Sequence, residues 1–141
     1  MGLCHRDLKV DNIMVDESFR MKIVDFGFST IIKKNNDLKL TTPLGTETYM
    51  APEIILRQPY KGTEVDVFAM GVVLFTLLSG HIPFHSAKKS DKRYSLIMNG
   101  DTISFWKMHS KGKIPNFYSK SFMSIIDGML CFDPTKRLTI D

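Results

Sequence analysis

Cysteine is scarce in this sequence. Only Cys4 and Cys131 are present among 141 residues, without C-x-x-C spacing or a companion His pair. This argues against a disulfide framework or a zinc site and suits a reducing compartment, the cytoplasm or alternatively the nucleus. Nine glycines and six prolines are too few for a fibrous or disordered chain. No two glycines lie closer than nine residues, so the chain holds no glycine-rich loop. Met1–Cys4 is followed at once by His5, Arg6 and Asp7 rather than an apolar stretch, so no secretory leader is expected.

What is present is a sequence with 43% hydrophobic and 24% charged residues, enough for a real core in one domain or part of one. The net charge of +4 is carried late. Between Ser86 and Lys120, eight Lys or Arg face only Asp91 and Asp101, with Phe105 and Trp106 among them. Basic residues beside aromatics can bind nucleic acid. A solvated Lys-rich face is the ordinary reading of such a run, so no nucleic-acid partner is expected. The 86–120 face remains a candidate docking surface.

The chemistry concentrates in His5-Arg6-Asp7-Leu8-Lys9-Val10-Asp11-Asn12. Asp7 can accept a proton from a hydroxyl, Lys9 can neutralise charge on a phosphate, and Asn12 can offer an oxygen to Mg²⁺. Two short β-prone runs, 12–15 and 21–24, flank the polar Asp16-Glu17-Ser18 and read as a hairpin. That hairpin brings Asn12 near Asp25, a second candidate metal ligand. In Asp25-Phe26-Gly27, Gly27 permits a sharp, left-handed turn, with Asp25 facing a ligand and Phe26 packed inward. Residues 29–44 lack periodicity and read as a mobile loop.

Glu64 to Ser79 is apolar nearly all round and stops at Gly80, as a helix does. It is shorter than the roughly 20 apolar residues a bilayer requires and contains Asp66, so a buried core helix is expected and no membrane. Thr63 followed by Asp66 reads as a capping box with a shorter acid. Asp91–Met98 and the segment carrying Phe122, Ile125, Ile126, Met129 and Leu130 show further helical periodicity. His81 and His85 stand four apart, but Pro83 breaks the helix that would align them on a metal. His109 has no partner in the sequence, and the nine Met residues are assigned to core packing.

The order H-R-D-L-K-x-x-N, D-F-G, G-T-x-x-Y-x-A-P-E (45–53), a central helix with Asp66, and D-P-x-x-R (133–137) resembles the large lobe of a eukaryotic-type protein kinase. The resemblance covers residues 5 to 138, and 1–141 is therefore read as a partial kinase domain. It implies a mainly α fold with a small β-hairpin near the catalytic loop, the N-terminal lobe being absent. Lys9 points to the serine/threonine class, and Gly80-His81-Ile82-Pro83-Phe84 to relatives of calcium/calmodulin-dependent or AMP-activated kinases.

What the resemblance implies for single residues is specific. Asp7 and Lys9 carry catalysis on a protein hydroxyl, with Lys9 on the transferred phosphate. Asn12 and Asp25 hold Mg²⁺, and Met14 packs beneath the adenine of ATP. Thr46 bonds near Asp7 and Lys9 at the substrate-docking segment. Thr42 is a regulatory phosphate site, with Thr41 as the fallback, and Arg6 is its partner. Glu53 pairs with Arg137, and Asp66 bonds the backbone of the catalytic loop. Val10-Asp11 replaces the commoner Pro-Glu, and Phe68 the usual Trp. Without a phosphate-covering loop, strand lysine or helix glutamate, the chain alone is expected to be a weak or inactive transferase. The alternative is a noncatalytic, kinase-like docking module.

Overall fold

In the computed structural model, residues 2–32 and 39–140 are described. The chain opens with β1 (Gly2–Cys4) and turns through a 3₁₀ segment at Val10–Asn12. The hairpin of β2 (Ile13–Val15) and β3 (Met21–Ile23) follows, and then β4 (Thr30–Ile32). β2 and β3 pair antiparallel with Ile13 opposite Ile23 and Met14 opposite Lys22, which is the hairpin expected from the sequence. Asp16 closes its turn by accepting from the backbone N–H of Ser18 and Arg20, each at 2.9 Å.

The second two-stranded sheet was not foreseen. β4 pairs antiparallel with β1, Gly2 opposite Ile32. An isolated bridge joins Leu40 to Tyr60. The stretch 29–44, expected to be a loop throughout, therefore carries a strand and a bridge, while 33–38 lie outside the described residues.

The remainder is mainly helical, as expected: α1 (Pro52–Ile55), α2 (Gly62–Ser79), α3 (Tyr94–Met98), α4 (Thr102–Ser110) and α5 (Lys120–Met129). α2 is the axis of the molecule. Val65, Phe68, Val72, Val73 and Phe75 on it are all at most 1% exposed, and each such side chain contributes roughly 1.5–3 kcal/mol by leaving water. The helix is long and apolar enough to cross a membrane by composition alone, yet most of it is buried within the protein, as the expected core helix is. α5 crosses it closely at Gly71, where a Cβ would sit 2.9 Å from Met129 Cβ. Phe84, Tyr94, Phe105, Tyr118, Ile126 and Leu130 complete the core around α2.

Several local expectations need correction. Thr63 and Asp66 form no capping box. The helix begins at Gly62 behind Lys61 with no side-chain cap, because the Asp66 carboxylate is drawn inward to other donors. The helical reading of 91–98 shrinks to 94–98, since Asp91 accepts from the backbone N–H of His85, Ser86, Arg93 and Tyr94 and so organises a turn. α4 was missed, because its apolar residues are interrupted by Lys107 and His109 and its cap is the lone Asp101, which accepts from Ser104 N–H. The Met residues are not all core: Met14, Met21 and Met108 are about half or more exposed.

Candidate functional site

The loop after β1 is held by one carboxylate from below. Asp66 Oδ2 accepts from the His5 backbone N–H at 2.6 Å and Oδ1 from that of Arg6 at 2.9 Å. The backbone at Arg6 is left-handed, φ 65°. Two charge-assisted bonds compensate a conformation that L-residues disfavour. The His5 ring spans the loop: Nδ1 accepts from the Asp7 N–H at 3.3 Å, which leaves Nε2–H to donate to the Val24 carbonyl at 3.1 Å. His5 thereby ties the loop to the end of β3.

The side chains of Asp7, Lys9, Asn12 and Thr46 are brought together. Asp7 Oδ1 accepts from both the N–H and the hydroxyl of Thr46 at 2.9 Å. Asp7 Oδ2 lies 3.0 Å from Lys9 Nζ, and Lys9 also donates to Thr46 Oγ1 at 3.1 Å. Asn12 Nδ2 donates to the Asp7 carbonyl at 2.9 Å, which fixes the amide and leaves its oxygen free of that bond. Burial pushes the Asp7 carboxyl up, but the Lys9 and Thr46 donors outweigh it and hold the group below the usual carboxylate range. The Asp7 bond raises the Lys9 ammonium in turn. The cluster is an ionised carboxylate and a charged lysine at neutral pH.

Gly45 makes this contact feasible. At φ 115° it presses against the loop, and a Cβ there would lie 2.7 Å from the Arg6 carbonyl oxygen. Any side chain at Gly45 would push Thr46 off Asp7. Sequence reading placed Gly45 in a motif without this role, and its signal is the glycine directly before a threonine that must meet a buried acid.

Asp25 follows β3 and is exposed to solvent, and Val24 N–H bonds the Asn12 carbonyl at 3.0 Å, so the two candidate ligands sit at the same end of the hairpin. The left-handed residue of the D-F-G segment is Asp25 itself, φ 61°, and not Gly27 as expected. Asp25 Oδ1 accepts from Gly27 N–H at 3.2 Å, the local bond that lets an Asp tolerate this region. Phe26 is not packed inward: it is 48% exposed, with its ring 5.0 Å from that of His5.

The other expected residues have these places. Met14 is on β2 opposite Lys22, exposed. Arg6 Nε donates to the Phe28 carbonyl at 2.6 Å. Thr42 is exposed, and its carbonyl accepts the Tyr60 hydroxyl at 2.7 Å. Arg137 meets Glu53 through two bonds, Nη1 to Oε1 at 2.7 Å and Nη2 to Oε2 at 2.9 Å, with its guanidinium 5.1 Å from the centre of the Phe68 ring. On the 86–120 stretch Phe105 and Trp106 are buried, Lys88 pairs with Glu47 at 2.6 Å, and Lys113 donates to the Ser79 carbonyl. Neither aromatic is available as a stacking platform for bases.

Among the described residues no cluster of three or more His, Cys, Asp or Glu could hold a metal by itself. Asn12 and Asp25 offer hard oxygen donors, suited to an ion that keeps several waters and is shared with phosphate oxygens, as Mg²⁺ is.

Residues 1–141 match the protein kinase domain family. The chain is 37% identical over 137 residues to the probable serine/threonine-protein kinase MARK-A of Dictyostelium discoideum, which covers 97% of this chain and 12% of that protein. It is 35% identical over 140 residues to CBL-interacting protein kinase 11 of Oryza sativa subsp. japonica, covering 99% and 26%. It is 34% identical over 139 residues to maternal embryonic leucine zipper kinase of Xenopus laevis, covering 99% and 20%. The chain thus spans less than a third of the length of these relatives. With a helical body around α2, a hairpin beside the Asp7 loop and this match along its whole length, the chain belongs to the protein kinase domain family, and serine/threonine protein kinases are its homologues.

Proposed function

We propose that this chain is the substrate-facing lower half of a serine/threonine kinase site, acting on protein hydroxyls with ATP and Mg²⁺. The observation that carries the reading is the contact of Thr46 with both Asp7 and Lys9, which joins a segment 39 residues downstream to the buried carboxylate of the loop. Thr46 saturates Asp7 Oδ1 with two donors, so Oδ2, which takes Lys9 Nζ at 3.0 Å and Asn12 Nδ2 at 3.5 Å, is the oxygen to orient a peptide hydroxyl and receive its proton once Lys9 turns away. The hydroxyl oxygen bonds the transferred phosphorus as that proton leaves, and the bond to the departing diphosphate oxygen breaks. Lys9, on a side chain one-quarter exposed, is placed to turn from Asp7 to the transferred phosphate. Asn12 and Asp25 would hold the metal, and Met14 would pack against the adenine. When bound, Mg²⁺-ATP supplies the phosphoryl group and neutralises its charge.

Phosphorylation of Thr42 adds nearly two negative charges to an exposed loop, and Arg6 answers them by exchanging its bond to Phe28. The two unpaired thiols, Cys4 and Cys131, suit the cytoplasm or nucleus. The chain alone transfers phosphate slowly, because catalysis of this kind rests on positioning and charge stabilisation and its nine dispersed glycines form no cover for the phosphates. Transfer of label from Mg²⁺-ATP to a generic Ser/Thr peptide tests this. Slow transfer that vanishes in Asp7→Asn is expected, and transfer unchanged in that variant overturns the reading.

A further inference from the structure

At the end of α2 farthest from the Asp7 loop lies a pair of imidazoles that the phosphoryl-transfer reading does not use. His81 and His109 stack with centroids 5.3 Å apart and 23° between planes, and His81 Nε2 is 3.1 Å from His109 Nδ1. His81 Nδ1 is also 3.1 Å from the Ser79 carbonyl. A carbonyl only accepts, so His81 carries its hydrogen on Nδ1. Neutral His81 then accepts at Nε2, and His109 must donate from Nδ1. That leaves His109 Nε2 as a bare lone pair, and this atom is buried without a hydrogen-bond partner. The order of donors runs in one direction and ends on an unprotonated nitrogen inside the core.

The surroundings oppose a proton there. His109 is 5% exposed and lies against Phe75 at 4.7 Å and Phe105 at 4.5 Å. The polar groups on the surrounding elements are two cations, a hydroxyl and a carboxylate engaged elsewhere. Arg93, just before α3, repels a charge on His109. Lys113, after α4, donates to the same Ser79 carbonyl as His81. The Tyr118 hydroxyl donates to Ser79 Oγ at 2.9 Å. The Asp127 carboxylate on α5 accepts from Trp106 at 2.8 Å. Among the described residues no carboxylate bonds either ring. Burial first, then His81 and Arg93, push His109 down to about 4, with the Pro83 backbone working the other way. A protonated pair would be two adjacent cations in an aromatic pocket.

We propose that His81 and His109 form an acid-released latch that fastens α4 to the C-terminal end of α2. At neutral pH the donor chain from His109 through His81 to Ser79 holds α4 against Phe75. Uptake of a proton at His109 Nε2, favoured by the Pro83 backbone alone and opposed by the aromatic walls, withdraws the ring, and α4 leaves the aromatic cluster with it. The Asp7 loop, fastened by Asp66 near the other end of α2, stays in place. This device is independent of the proposed phosphoryl transfer.

Trp106 is the only tryptophan of the chain and sits on α4, 5.9 Å from Phe75 and 5.1 Å from Tyr118. Its fluorescence in the 141-residue chain, titrated from pH 8 to pH 4, therefore reads the latch. The expected result is a cooperative change between pH 6.5 and pH 4, abolished in His109→Gln and retained in Asp127→Asn. A change that persists in His109→Gln, or disappears only in Asp127→Asn, overturns the proposal. Should His109→Gln be unfolded at neutral pH, ring nitrogen NMR of the unaltered chain decides. His109 neutral at pH 7 and protonated over the same interval as the Trp106 change supports the latch. Protonation near pH 6.5 without a Trp106 change refutes it.

Discussion

Arg137 grips both oxygens of Glu53 across 84 residues of sequence, and it also donates to the backbone carbonyls of Glu64 and Cys131. The pair has 0% and 3% side-chain exposure. One guanidinium thus ties the start of α1, the first turn of α2 and the end of the chain's helical base. Removing one partner leaves the other charged and dry, and Arg137→Met should cost about 3–5 kcal/mol in urea unfolding. Glu53→Gln with Arg137→Met together should cost less than the sum of the two single changes.

Asp66 should matter for the loop more than for its own helix. Asp66→Asn keeps one acceptor and loses the charge that holds the N–H groups of His5 and Arg6, at a cost of about 1.5–3 kcal/mol. Amide exchange at His5 and Arg6 should accelerate more than at Val72 or Phe75 in the middle of α2. Equal acceleration throughout would mean that the carboxylate supports only the helix.

Thr46→Val removes the hydroxyl from Asp7 and Lys9 while keeping the backbone N–H bond. The Asp7 carboxyl should rise toward its ordinary value, observable by carboxyl NMR titration. Because its folded-state value is depressed, Asp7 contributes stability above the ordinary carboxylate range that is lost as pH falls through the folded value. The variant should show a smaller loss over that acid interval.

His109 gives the other pH dependence. Its folded-state value lies below the ordinary 6.5, at about 4. The unfolded chain therefore binds a proton first. Stability is complete above pH 6.5 and falls by about 1.4 kcal/mol per pH unit down to the folded value. Urea unfolding at pH 7.5 and pH 5 should show the fall in the unaltered chain and less of it in His109→Gln.

Much of this was legible in the sequence because the decisive residues act through types that have few alternatives. A carboxylate inside an apolar helix, Asp66, needed polar partners, and the loop amides are those partners. The β2–β3 hairpin and the stop of α2 at Gly80 followed from β-prone runs and turn residues. What was missed depends on tertiary position. β1 and β4 pair across 26 to 30 residues in a register that neither strand specifies alone. The left-handed residue in 25–27 is Asp25 because its own carboxylate bonds Gly27, a choice glycine content does not reveal. His81 and His109 find each other only once α4 folds back on α2.

In the proposed function, Asn12 and Asp25 would present a metal-nucleotide complex to Asp7. Mn²⁺ with ATP, added to the isotopically labelled chain, should broaden the Asn12 side-chain amide and the Asp25 resonances first. That broadening should be lost in Asp25→Ala. Broadening that begins elsewhere, or persists unchanged in Asp25→Ala, would contradict the account.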